Sequence, residues 1–459
     1  MLYMLCFSAT QLITWNIERE REREMEQGRR SRVKLESILS VVSGKPTEPG
    51  KIHKLSLLDR AMRPHTIHIV FYYGSNPFLD GPMPSDLGNL RVTLSELLDE
   101  YPYVTGRLTQ EPDGDWQIKF NDAGVRMLQA TVDATIDEWL RSADAAEERD
   151  LTAWEEMPHD PTFWSPFRLQ INKFKCGGLA LGLSCTHMHT DLTSATMLFK
   201  AWSEVHRRQP PTHPPIFELP PPLTPTPPIP TPSPHPTAPT KLATATFKFS
   251  AAAVDKCLSQ APPGATPFDV LAALFWCRAA QWQPHASKRS LSICVDFRDQ
   301  GQHPPVPYAY FGNALRFSTL TVDADDLLSG GLGQVAGHVH RHVAGMRKEE
   351  FSSVVDENGS GGMYGGAALT CVNAEHMVEA ESGRGIMYDA EFKKGERPVH
   401  VSYCVGNVAG EGLIMVMPAE EGGRGRTVTA TLPEEQVAEL CKDQVILDLG
   451  PNMILCGRR

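Results

Sequence analysis

The chain has no pair of cysteines at metal-binding spacing. Its ten cysteines are scattered singly, without a CxxC. That excludes a zinc-finger module and a secreted disulfide framework, and it reads as a chain of a reducing compartment. Positive charge is also in short supply. Lysine and arginine number 44 against 55 aspartates and glutamates, a formal net charge of −11. No basic run interleaved with aromatics is present to grip a phosphate backbone, so no nucleic-acid partner is expected. A GxGxxG is missing, which argues against a dinucleotide fold, and no repeat of fixed period stands out. The N-terminal stretch MLYMLCFSATQLITW is apolar, yet shorter than the ~20 residues of a spanning helix. It also lacks the leading positive charge and trailing small residues of a secretory signal. Residues 1–48 are therefore expected to be an extension outside the fold, partly disordered, with Met25 as a candidate true start and no stable membrane span.

What is present is the composition of a folded globular chain, 41% hydrophobic and 22% charged, over 459 residues. That length exceeds one ordinary core and predicts two domains. The sharpest boundary is QPPTHPPIFELPPPLTPTPPIPTPSPHPTAPT, residues 209–240. So much proline cannot build a helix or a central strand, so this is expected to be a crossover linker. It divides an N-terminal domain, 49–208, from a C-terminal domain, 241–459.

Both sides mix element types. TIHIVFYYG at 66–74, WQIKF, SLSICVDFR, RPVHVSYCV, GLIMVMP and RTVTATL predict strands, whereas 89–102, AAAVDKCLSQ, TPFDVLAALFWCRAAQWQ and PEEQVAELCKD predict helices. The class is mixed α/β, without the regular spacing of a doubly wound sheet.

One stretch concentrates chemistry. CTHMHTDLTS, residues 185–194, holds two histidines and an aspartate within five positions. The residues before it alternate as in a half-buried strand: Leu179, Leu181, Leu183 and Cys185 on one side, Ala180, Gly182 and Ser184 on the other. After it, Ala195, Leu198, Phe199, Trp202 and Val205 recur at helical spacing. HMHTD is thus a strand-to-helix turn. Three readings are open from residue chemistry. His187 could be a general base, since a neutral imidazole accepts a proton near pH 7. His187, His189 and Asp191 could hold a metal. Or Asp191 could simply cap the helix.

The surroundings of that turn carry a resemblance. LQINKFKCGGLALGLSCTHMHTDLTSATMLFKAWSEV, TPFDVLAALFWCRAAQ and SICVDFRDQGQHPPVPYAYFGNAL resemble, in this order, segments of the BAHD family of plant acyl-CoA-dependent acyltransferases, over roughly residues 50–445. The resemblance implies two similar chloramphenicol-acetyltransferase-like domains with a channel between them, and an HxxxD histidine reachable from both sides. It implies that His187 deprotonates an acceptor hydroxyl or amine that attacks an acyl-CoA thioester. Asp191 would orient the turn by pairing with Arg298. His189 matches a variable position and receives no role. Acyl-CoA enters as substrate, and no metal or resident cofactor is implied. The resemblance further implies a monomer, the usual state of the family, that transfers groups other than amino-acyl groups.

The match breaks in one place. MYDAEFKKGERPVHVSY stands where the family carries DFGWG. Glu391, Phe392 and Gly395 keep part of that pattern, and Lys393 and Lys394 replace a glycine and a tryptophan. The break, together with MYGGAALTCVNAEHM and RPVHVSYCVGNVAGEGLIMVMP, resembles the ECERIFERUM/Glossy-type branch of cuticular wax formation. That branch implies very-long-chain acyl-CoA metabolism, assistance to an elongase condensing enzyme, and a cytoplasmic location at the cytosolic face of the endoplasmic reticulum. A conventional hydroxycinnamoyl-CoA transferase and a non-catalytic binding protein are the alternatives.

Overall fold

The computed structural model describes residues 31–45, 47–48, 50–78, 86–218, 241–282, 286–298, 306–346, 363–364, 368–379 and 383–457. The apolar N-terminal stretch, Met25 and residues 219–240 of the expected linker lie outside them.

Sixteen strands are described: β1 Val33–Val41, β2 Ile52–Lys54, β3 Thr66–Tyr73, β4 Arg107–Gln110, β5 Trp116–Lys119, β6 Val125–Val132, β7 Phe167–Phe174, β8 Leu179–Thr186, β9 Leu242–Phe249, β10 Lys288–Asp296, β11 Leu315–Asp323, β12 Leu369–Asn373, β13 His400–Gly406, β14 Leu413–Pro418, β15 Arg426–Pro433 and β16 Asn452–Ile454. They form a six-stranded sheet in the order β1-β6-β7-β8-β3-β13, a seven-stranded sheet in the order β11-β10-β12-β14-β15-β9-β16, and a small sheet β2-β5-β4. Both large sheets mix parallel and antiparallel pairs, as β6 with β7 and β10 with β12 run parallel. The mixed α/β expectation holds.

Two features depart from the expected division. Residues 33–41 are not outside the fold: β1 pairs antiparallel with β6 from Val33 opposite Val132 to Val41 opposite Val125. Its alternation is interrupted where the pairing with β6 shifts register between Leu35 and Ser37, so its strand character does not show as one regular period. And β13, from the C-terminal half, completes the first sheet by pairing with β3 from His400 opposite Tyr72 to Gly406 opposite Thr66.

The helix Leu192–His206 is capped by Asp191, whose side chain accepts from the Ser194 N–H. Spacing suggested a single apolar face, yet Leu192 through Glu204 are all buried. Its polar side chains are satisfied internally: Thr196 Oγ1 donates to the Leu192 carbonyl at 2.7 Å, and Lys200 Nζ pairs with Glu204 Oε1 at 2.6 Å. Polar residues are tolerable there because each finds a partner. β8 is likewise buried on both faces rather than one. Its second face is covered by the segment at 151–153, to which Ser184 and the neighbouring Asn172 are hydrogen-bonded. One apolar cluster joins the halves, running from Leu181, Leu183 and Phe199 to Cys294, Leu315, Val372, Met387 and Phe392.

Candidate active site

His187 sits immediately after β8 and before the Asp191-capped helix, so both neighbouring backbones are held by regular structure. Its N–H donates to the His65 carbonyl at 3.1 Å. Its own carbonyl accepts from Asn313 Nδ2 at 2.8 Å, and that same amide donates to Asp59 Oδ1 at 2.8 Å. The turn is therefore pinned by residues from both halves. Such double anchoring is what a functional side chain needs to keep one orientation.

Asp191 and Arg298 come together. Arg298 Nη1 donates to Asp191 Oδ2 at 2.8 Å, and both side chains have no solvent exposure. The guanidinium also donates to the carbonyls of Tyr310 and Gly312, to Ser194 Oγ, and to Asp296 Oδ2. Asp191 Oδ2 further accepts from the Ala314 N–H at 3.0 Å. A buried charge is stable only when paired and hydrogen-bonded in this way. Burial by itself would lower the Arg298 pKa, but Asp191 and Asp296 reverse that and raise it above its ordinary value. Burial would likewise raise Asp296, yet Arg298 and His376 hold it below the usual carboxylate range.

The metal reading of the turn loses its carboxylate here, because Asp191 is committed to Arg298, Ser194 and Ala314. His189 is buried with its ring edge-on to Phe167, 5.5 Å between centroids. Among the described residues no group of three His, Cys, Asp or Glu side chains is gathered for a metal ion.

The imidazole of His187 has no solvent exposure. The resemblance implied a ring open to a channel from both sides; here the ring is covered, and Nε2 meets the hydroxyl of Tyr364 at 3.3 Å. Tyr364 is buried too, with its ring edge-on to His65 at 5.1 Å and to Phe317 at 5.3 Å. Nδ1 of His187 has no hydrogen-bond partner. Burial pushes the His187 pKa down, against opposing pulls from its own main chain and from Asp191. Burial and the neighbouring His187 push His65 down to about 4. Both rings are thus neutral at pH 7, and a neutral imidazole has the lone pair a base requires.

Beside Tyr364 lies a cavity of about 10 Å³, bounded in part by Thr193, Cys294, Asp296, Asn373 and His376. Thr193 Oγ1 donates to Asp296 Oδ2 at 2.8 Å, and His376 Nε2 lies 2.7 Å from that hydroxyl. None of Asn313, His65, Tyr364 or His376 received a role from the sequence. Asn313 lies inside the YFGN segment, which marks it as a candidate. Tyr364 lies in the run GGMYGG, where no periodicity points to it.

The altered loop is far better packed than its sequence suggests. Phe392 is buried, 5.0 Å from the Trp202 ring and 5.2 Å from Phe78. Glu391 accepts from the Gly395 N–H at 3.1 Å and pairs with Arg397. The retained Gly395 has φ +84°, whereas Lys393 is not among the described residues with positive φ, so the lost glycine costs the backbone no left-handed conformation.

Similarity to known proteins agrees with this geometry. ECERIFERUM 2 of Arabidopsis thaliana is 26% identical over 447 residues, covering 91% of this chain and 98% of that protein. A hydroxycinnamoyltransferase of Narcissus pseudonarcissus is 28% identical over 433 residues, covering 87% and 96%. In three dimensions the chain resembles vinorine synthase, with a TM-score of 0.67 at 20% identity over 91% of this chain and 98% of the other. The Transferase family model matches residues 33–446, and the chain belongs to that family, the BAHD acyltransferases.

Proposed function

We propose that the protein transfers an acyl group from acyl-CoA to a hydroxyl or amine, with His187 as general base, in very-long-chain acyl-CoA metabolism of the wax-forming type. The observation that carries the chemistry is a neutral imidazole with its Nε2 facing a hydroxyl, on a turn anchored by Asn313 and by the Asp191–Arg298 pair. Attack on the thioester builds a tetrahedral oxyanion and releases CoA thiol. The similarity to ECERIFERUM 2 supports the very-long-chain assignment; the comparable similarity to hydroxycinnamoyltransferases makes an aromatic donor the alternative. No described helix is long and apolar enough to cross a membrane, and the site of action we propose is the cytosolic face of the endoplasmic reticulum.

The test is thiol release from palmitoyl-CoA, a very-long-chain acyl-CoA and p-coumaroyl-CoA, each with a long-chain alcohol, agmatine or tryptamine. The reading expects release with the very-long-chain donor that disappears in His187→Ala; silence with every donor ends it. A second reading, assistance to an elongase condensing enzyme without catalysis, is favoured by the complete burial of the His187 ring. It expects His187→Ala to support elongation in a reconstituted elongase as well as the native chain does.

A further inference from the structure

His187 does not border the cavity described above, but Tyr364 does. Tyr364 therefore connects the imidazole, through its hydroxyl, with a small and largely apolar space that carries a few polar side chains. Within the cavity wall, Asn373 Nδ2 is buried and has no hydrogen-bond partner. Its own Oδ1 is engaged, accepting from the Glu375 N–H at 3.0 Å. An orphaned buried donor of this kind is costly unless something polar reaches it at some stage of function. The volume, about 10 Å³, accommodates roughly one water-sized group, which is the size of a hydroxyl or an amine nitrogen.

We infer that Tyr364 is a catalytic residue: the acceptor's hydroxyl or amine seats in this cavity against the phenol, and His187 receives the acceptor's proton through Tyr364. The inference rests on the acyl-transfer reading. As the acceptor O–H or N–H gives its proton to Tyr364 Oη, the phenol's own proton passes to His187 Nε2. The freed lone pair of the acceptor forms a bond to the thioester carbonyl carbon. When the tetrahedral intermediate collapses, the C–S bond breaks and the proton returns by the same route to the CoA sulfur. Protons and electron pairs balance without any further reagent. Asn373 Nδ2 is the donor available to a polar group in the cavity.

The surroundings suit a relay rather than a store of charge. Burial raises the Tyr364 pKa well above its ordinary value, so the phenol must gain one proton as it loses the other. The same burial disqualifies Cys294, which hydrogen-bonds Tyr364, as an acyl-accepting nucleophile: its thiol is pushed well above the usual range, and only a thiolate attacks. 

The experiment compares native protein, Tyr364→Phe, His187→Ala and the double variant, using whichever of a very-long-chain acyl-CoA, palmitoyl-CoA and p-coumaroyl-CoA the native chain turns over. Tyr364→Phe removes one oxygen and keeps the ring contacts with His65 and Phe317; thermal unfolding checks that it folds. A positioned proton-transfer group contributes about 10²–10⁴-fold. The expected result is a kcat at least about 100-fold lower with KM for acyl-CoA little changed, and a double variant no slower than His187→Ala alone. A proton inventory in mixed H₂O and D₂O is expected to curve, as two protons move together in the native protein. A Tyr364→Phe variant as fast as the native chain, or faster, overturns the relay, and a faster one identifies Tyr364 as an obstacle to the acceptor. Silence of the native protein with every donor overturns the acyl-transfer reading and the relay with it, a separate and recognisable outcome.

Discussion

At the scale of single residues, Arg298 holds the turn's geometry. Five acceptors from three segments converge on one guanidinium: Asp191, Asp296, Ser194 and the carbonyls of Tyr310 and Gly312. Removing it leaves two carboxylates buried without their counter-charge. Truncating one partner of a buried pair costs about 3–5 kcal/mol, so Arg298→Ala is expected to lower the unfolding free energy by that amount in urea titrations. Arg298→Lys is expected to recover only part of the loss. An ammonium offers one point of charge and cannot reproduce a planar fork that serves several acceptors at once. The pairing of Asp191 with Arg298 was implied by the family resemblance that HxxxD and VDFR help to carry. The role of Asn313 was not, because its two acceptors, Asp59 and the His187 carbonyl, lie 254 and 126 residues away.

At the scale of elements, the strand that delivers His187 depends on a glycine. Gly182 faces the backbone of Leu151, and a Cβ there would overlap the Leu151 carbonyl oxygen. Backbone cannot move aside as a flexible side chain can, so Gly182→Ala is an overpacking change costing ~1–3 kcal/mol, with β8 and the turn behind it displaced. Gly395→Ala makes a useful contrast. Nothing lies within 4 Å of its would-be Cβ, and only φ +84° opposes the change. The expected cost is about 1 kcal/mol, read by the same titration. The two glycines look alike in the sequence, and only the fold separates them. The same limit explains β8 and the helix Leu192–His206. Their periods were legible, so element type and the position of the turn followed from apolar spacing. Their second faces were not, because an alternating or amphipathic pattern cannot tell water from a partner that satisfies every polar group. A third prediction belongs to β3. His68 is buried between Thr66 Oγ1, 3.0 Å from Nε2, and Thr152 Oγ1, 2.9 Å from Nδ1. Burial pushes its pKa from the usual 6.5 down to about 3. Below pH 6.5 the unfolded chain therefore binds a proton that the folded chain refuses, and stability falls as pH falls through that window. Each histidine of this kind adds a slope of up to about 1.4 kcal/mol per pH unit. His68→Gln removes it, so the gap in stability between variant and native chain is expected to narrow from pH 6.5 to pH 4. A gap that stays constant means the ring is protonated in the folded state.

At the scale of the whole molecule, the two halves that composition suggests share one sheet and one apolar cluster. The proline-rich stretch marks a true change of sheet, since β1 to β8 precede it and the seven-stranded sheet is built entirely from strands after it. No local pattern, however, announces that β13 leaves its own half to close the first sheet beside β3. Strand pairing between residues 66–73 and 400–406 is a long-range choice, made by which buried face remains uncovered, and a single sequence records the strands without recording that choice. The consequence is testable. A piece ending at residue 218 lacks β13, so its β3 edge, buried on both faces in the native molecule, is left unpaired. Unpaired apolar edges template association with other chains, so this piece alone is expected to aggregate. The complementary piece from residue 241 carries β13 with nothing to pair against. Coexpressed, the two are expected to assemble into a single complex that co-purifies, because the β3–β13 ladder and the apolar cluster joining the halves are both regenerated. Size-exclusion chromatography of each piece and of the mixture decides it. A piece ending at 218 that runs as a folded monomer by itself shows that β13 is an ornament on the sheet and not one of the strands that complete it.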